Sequence, residues 1–127
     1  MQALVIDDSR TMRRVLSRLL TGLGFDVAEA ADGQHALEQM RAGPLPRLCL
    51  VDWNMPVMDG YTFVHRVREE SRWSDVRLLM VTTETSPNHV VRAFAAGADD
   101  YMTKPFTPEG LEQKLELLGL AREELPV

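Results

Sequence analysis

Cysteine is almost absent. Cys49 is the only one in 127 residues, so no internal disulfide can form. It stands in Leu48-Cys49-Leu50-Val51, where a small buried hydrophobe is expected rather than a reactive thiol. Long apolar runs are missing as well. None approaches the roughly 20 residues needed to span a bilayer. Only Met1 and Gln2 precede the first apolar segment, which leaves no room for a signal peptide, and a reducing cytoplasmic setting is expected. Basic charge is in deficit. The formal net charge of −5 argues against a nonspecific grip on nucleic acid, which needs a basic face, although a local basic patch stays open. There is no linker, repeat or low-complexity tract, and the tail from Arg122 to Val127 is too short for an output domain. What remains is 45% hydrophobic and 26% charged, the composition of one folded domain over residues 1–127.

Two patterns alternate along the chain. Nearly continuous apolar runs at Ala3 to Ile6, Leu48 to Val51 and Val76 to Val81 suit strands covered on both faces. Weaker strand candidates are Asp26 to Ala30 and Tyr101 to Thr103. The first helical pattern places Met12, Val15, Leu16, Leu19, Leu20 and Leu23 on one stripe, leaves Arg13, Arg14 and Arg18 off it, and stops at Gly24. A second runs from about Gln34 to Arg41, with Ala36, Leu37 and Met40 inward. A third follows Asp59-Gly60, with Phe63, Val64 and Val67 inward. A fourth begins at Ser86-Pro87 and is expected to bury Val90, Val91, Phe94 and Ala95 before Gly97. A fifth begins at Thr107-Pro108 and buries Leu111, Leu115 and Leu118. Five βα units with right-handed crossovers predict an α/β, doubly wound parallel sheet with helices on both faces.

In such sheets ligands bind beyond the carboxyl ends of the strands. Asp7 and Asp8 follow the first strand, Asp52 the third, Thr82, Thr83 and Glu84 the fourth, and Lys104 the fifth. Three carboxylates thus collect with one hydroxyl and one ammonium at a single edge. Like charges ~4 Å apart repel by ~4 kcal/mol at an effective dielectric near 20, so the cluster needs a counter-charge or a proton. A divalent cation supplies it, and all-oxygen donors without His or Cys favour Mg²⁺ or Mn²⁺ over zinc. A divalent cation beside a lysine is a setting for phosphoryl transfer, in which a carboxylate can be the nucleophile. Asp52 lies centrally and is the candidate acceptor. Thr82 and Lys104 can bind phosphoryl oxygens.

Each residue alone has a plainer explanation. Asp7-Asp8 before Ser9 reads as a turn and helix cap, Asp52 as a strand-end residue, and Lys104 as a solvated cation. Only their placement together at strand ends carries weight. Asp59 reads as a cap and turn. His35, His65 and His89 lack metal-ligand spacing and read as surface or satisfied histidines, and Arg13-Arg14 as a solvated helix face. Tyr101 is open between core packing and switching.

Four segments resemble the receiver domains of two-component response regulators. They are Val5-Ile6-Asp7-Asp8, Asp52 through Gly60, Val81-Thr82-Thr83-Glu84 and Lys104-Pro105-Phe106. Their ordered set covers essentially the whole chain, and Thr11-Met12-Arg13-Arg14 with Asp52-Trp53-Asn54-Met55-Pro56 is similar to the single-domain chemotaxis type. The resemblance implies a flavodoxin-like sheet of strand order 2-1-3-4-5. It implies Asp52 as phosphoacceptor and Mg²⁺ held by Asp8, Asp52 and the Asn54 backbone carbonyl, with Asp7 acting mainly through a metal-bound water. Thr82 and Lys104 would hold the phosphoryl group, Tyr101 would change rotamer with Thr82, and the Lys104-Pro105 bond would be cis. A histidine kinase would be the donor and an unidentified downstream protein the reader, at a face formed by the fourth helix, fifth strand and fifth helix near Lys114. The protein would be a monomer and no enzyme beyond its own phosphorylation and dephosphorylation. A phosphorelay intermediate that passes the group onward is the alternative. Thr83 departs from the smaller residue frequent at its position, and Thr85 and Pro87 leave a flagellar-motor partner in doubt. A small aspartyl phosphatase would carry a second acid two residues after the nucleophile, where this chain has Asn54. A mononucleotide binder would not put Asp7-Asp8 against a phosphate.

Overall fold

A computed structural model describes residues 1–120. β1 (Gln2–Ile6), β3 (Leu48–Val51) and β4 (Arg77–Thr82) are buried on both faces over almost their whole length, so both faces need helical cover. β2 (Asp26–Ala30) and β5 (Asp100–Thr103) are edges and read as more mixed sequences. All pairings are parallel, in the order β2-β1-β3-β4-β5, as the resemblance implied.

Among the described residues five helices close the crossovers: α1 (Arg10–Gly22), α2 (Gly33–Ala42), α3 (Gly60–Glu69), α4 (Pro87–Ala96) and α5 (Pro108–Leu117). Leu16 and Leu20 of α1 meet Leu111 and Leu115 of α5 on one sheet face, over Val5, Leu50 and Val81. Ala36, Leu37, Phe63, Val67 and Ala93 from α2, α3 and α4 fill the other, over Ile6, Val51 and Met80. Short polar caps start these helices where the sequence places them. Ser9, Asp32, Asp59 and Thr107 each accept a backbone N–H of the first turn. Ser86 occupies the cap position of α4 but makes no such bond; Pro87 supplies the helical φ instead.

Several expectations need correction. In α4, Val91, Phe94 and Ala95 face outward, with Val91 66% and Phe94 44% exposed, while Ala93 is buried and Val90 and Ala96 pack partly against the core. The segment is apolar nearly all round, so its periodicity does not single out one stripe. Cover over the sheet edge comes from the every-third-residue row of Val90, Ala93 and Ala96. Val15 of α1 is likewise 43% exposed. Arg13 is not a solvated residue: it donates from Nη1 to the Asp7 carbonyl at 2.6 Å and pairs with Glu29 at 3.2 Å. β4 begins one residue later and ends one later than expected, and a 3-10 turn at Ser71–Trp73 buries Trp73 without a signal in the sequence pattern. The tail from Arg122 to Val127 lies outside the described residues.

Candidate functional site

The ladder continues one residue past the strand ends and thereby gathers the chemistry. Asp7 N donates to Ala30 O, Asp52 N to Ile6 O, and Lys104 N to Thr82 O, at 3.1, 3.0 and 2.9 Å. Parallel strands put all these residues at one edge, although Asp7 and Lys104 are 97 residues apart. Carboxylate oxygens of Asp7, Asp8 and Asp52 lie within 4.8 Å of one another. Asp7 is 1% exposed and Asp52 8%, whereas Asp8 is exposed. Asp8, Asn54, Met55, Pro56 and Asp59 line an open cleft of about 540 Å³ in front of them.

Among the described residues, Lys104 is the one ammonium reaching into the group. Its Nζ donates to Asp7 Oδ2 at 2.8 Å and stands 3.5 Å from Asp52 Oδ2. Asp7 is fixed from three sides: Lys104 holds one oxygen, the Ser9 N–H the other at 2.8 Å, and Arg13 its carbonyl. Burial pushes the Asp52 carboxyl above its usual range, and the Asp7 charge adds to the rise. Hydrogen bonding from Thr82 and the charge of Lys104 oppose it. An acidic group held this way, with three carboxylates against one ammonium, suits a hard divalent cation, and every donor is oxygen.

Behind Asp52 the backbone is crowded. A Cβ on Gly60 would collide with the Asp52 carbonyl oxygen, and Gly60 N donates to Trp53 O at 2.9 Å. Gly60 therefore lets α3 start against Asp52, a requirement that the Asp-Gly pair in the sequence does not reveal. Asp59 is a cap, as expected, bonded to Thr62 N at 2.8 Å. The Lys104-Pro105 bond is cis.

Thr82 is fully buried and its Oγ accepts from Glu84 N at 3.3 Å. Tyr101 points inward, 9% exposed, and donates its hydroxyl to the Glu84 carbonyl at 2.6 Å. Burial and the charges of Glu84 and Asp52 hold its phenol above the ordinary value. The side chain of Asn54 is exposed and donates from Nδ2 to Glu84 Oε1 at 2.8 Å. Lys114 is engaged with Asp100 at 3.0 Å. His35 and His65 are exposed, as expected. His89 is not a plain surface residue: its ring packs on Trp53 and its buried Nδ1 has no partner among the described residues.

A buried aspartate, two further acids, a hydroxyl and a lysine at the ends of parallel strands coincide with a family match. The model described as "Response regulator receiver domain" matches residues 3–116. This chain belongs to that family. Among curated relatives, the Helicobacter pylori chemotaxis protein CheY1 is 43% identical over 119 residues, covering 93% of this chain and 96% of that protein. A Campylobacter jejuni chemotaxis protein CheY homolog is 44% identical over 126 residues, covering 98% and 97%. Among solved structures, the Vibrio cholerae chemotaxis protein CheY4 superposes with a TM-score of 0.85 at 38% identity, covering 92% of this chain and 97% of that one. Receiver domains of this kind are signalling proteins. Among the described residues, no helix is long and apolar enough to cross a membrane.

Proposed function

We propose that this receiver is a single-domain response regulator that takes a phosphoryl group on Asp52 from a histidine kinase in the presence of Mg²⁺. In that step the phosphorus–nitrogen bond of a phosphohistidine breaks and an Asp52 Oδ–phosphorus bond forms, the imidazole keeping the electron pair. One observation carries the reading: the Asp52 carboxylate is nearly buried beside Asp7 and Asp8, with Lys104 3.5 Å away. Mg²⁺ bound by Asp8, Asp52 and the Asn54 carbonyl, with Asp7 behind a water, would neutralise charge on the acids and the transferring group. Lys104 and the Thr82 hydroxyl take phosphoryl oxygens, a charge-assisted pair of contacts.

Phosphorylation adds roughly −1.5 to −2 charges at Asp52. Thr82 and Lys104 follow that charge, and Tyr101, whose hydroxyl is held by the Glu84 carbonyl, responds on the α4-β5-α5 side. A downstream protein reads that face, where Val91 and Phe94 of α4 are exposed. No nucleic acid or membrane enters this account, and the working form is a cytoplasmic monomer.

The test is labelling with acetyl phosphate and Mg²⁺. One phosphoryl group per chain is expected, lost on chelation of the metal and absent in Asp52→Asn. Undiminished labelling of Asp52→Asn overturns the assignment. For the output face, beryllofluoride as phosphoryl mimic is expected to shift NMR resonances along Val90 to Ala98 and Tyr101 to Thr103. Binding of the mimic without such shifts counts against this route.

A further inference from the structure

The sheet has a second recess, at the opposite end from the acids. It opens where β1 begins, between that strand, the edge strand β2 and the last turn of α2, and encloses about 280 Å³. Leu4 and Ala28, paired in register on β1 and β2, line it from the sheet, and Leu4 packs with the α2 side of the core. Ala28 offers only a methyl group and stays exposed. A longer side chain there would fill the layer between β2 and the end of α2. Met40 and Ala42 line the recess from the helix, and Pro44 and Pro46 from the loop that follows.

The lining is mainly apolar, and among the described residues no charged side chain belongs to it. A charged ligand would lose hydration there without gaining a counter-charge. The polar groups that remain are chiefly acceptors. α2 ends at Gly43, whose N–H bonds the Gln39 carbonyl. Four residues on from Met40 and Ala42 stand Pro44 and Pro46, which have no N–H, so the loop donates no backbone hydrogen bond to either carbonyl. The Gln39 amide nitrogen is engaged with the Glu29 carbonyl at 2.8 Å and with His35 Nε2 at 3.1 Å, which leaves the amide oxygen. Gln2 alone adds a side-chain donor. The negative end of the α2 dipole lies at the same place and disfavours an anion further.

We infer that this recess is a binding site for a small, neutral, mainly apolar molecule that carries an N–H or O–H donor. Its volume, just below the ~300–1,000 Å³ usual for small-molecule sites, limits it to a compact ligand. The apolar walls supply affinity, and the open carbonyls of Met40 and Ala42 orient the donor. The site stands apart from the proposed phosphorylation chemistry. β1 starts at the recess with Gln2 and Ala3, whereas Asp7 follows its other end.

The experiment titrates the full chain with indole, a compact neutral ring system with one N–H, and follows backbone amides by two-dimensional NMR. Saturable shifts are expected at Gln2, Ala3, Ala28, Gln39 and Gly43, with none at Asp7, Asp52 or Lys104. Benzofuran has the same shape without the N–H and is expected to bind at least about threefold more weakly, the loss of one hydrogen bond. Benzoate, an anion, is expected to give no saturable shift. Ala28→Leu is expected to fill the recess and to abolish the indole response while the rest of the spectrum stays that of a folded chain. Should Ala28→Leu unfold, Ala42→Leu takes its place with the same expectation. No saturable shift in wild type, or an undiminished response in the filled variant, overturns the site. Binding of benzofuran or benzoate as tight as that of indole overturns the ligand class.

Discussion

Asp52 is a carboxylate placed where a carboxylate costs stability. It is nearly buried, Asp7 repels it, and its pKa is raised for those reasons. The folded state therefore binds the proton more tightly than the unfolded chain does. Stability falls as pH rises from the ordinary carboxylate value through the raised one, and is level above it. Asp52→Asn removes this penalty. Without divalent cations it is expected to melt above wild type at neutral pH, with the gap closing as the solution is acidified through that window. A thermal melt series against pH checks this, and a gap independent of pH would refute the electrostatic account. Val57 is a second costly residue. It sits at φ 68° in the loop before α3 and is 83% exposed, so its branched side chain strains the backbone and packs against little. Val57→Asn is expected to stabilise by about 1 kcal/mol in urea denaturation, since the left-handed region disfavours β-branched residues most.

At the scale of the element, α3 and α4 contrast. α3 begins at Gly60 because only a residue without Cβ can lie against the Asp52 carbonyl. Gly60→Ala must push the helix start or Asp52 aside, and is expected to lose more than about 2 kcal/mol and, on the proposed function, the ability to take label. Unaltered labelling by that variant would show that the loop can relax. α4 has a loose outer face. Phe94→Ala is expected to cost less than about 1 kcal/mol, whereas Phe63→Ala in α3 is expected to cost about 3–5 kcal/mol, because Phe63 is wholly buried and leaves a cavity. Equal losses would mean that α4 buries its apolar side against a surface after all. A helix that exposes valine and phenylalanine beside the edge strand β5 has apolar area to offer a partner.

For the whole molecule, the acids and the lysine make folding and cation binding one problem. Any ligand bound only by the folded state stabilises by mass action, about 2.7 kcal/mol at ~100 times its dissociation constant. Mg²⁺ is expected to raise the melting temperature of wild type in this way and to change Trp53 fluorescence once Trp73→Phe removes the background. Asp8→Ala is expected to weaken both responses more than Asp7→Ala, because Asp8 is the acid open to the cleft while Asp7 is already paired with Lys104. Equal titrations in the three proteins would rule out direct ligation by Asp8.

The sequence by itself determined the five βα units, the helix caps at Asp59 and Thr107, and the set of residues at strand ends. These follow from local rules: hydrophobic period, cap chemistry and the position of each polar residue relative to an apolar run. Strand order came by resemblance, since periodicity says nothing of which strand lies beside which. Tertiary structure alone decided that Arg13 braces the Asp7 carbonyl, that Gly60 meets Asp52, that Val91 and Phe94 face outward, and that His89 reaches Glu84 and Trp53. Most of these contacts are close in sequence but depend on the path of the loop between a strand end and the next helix, while that of His89 with Trp53 joins separate βα units and the exposure of α4 depends on how much of a helix its sheet can cover. Hydrophobic period and cap chemistry record none of this.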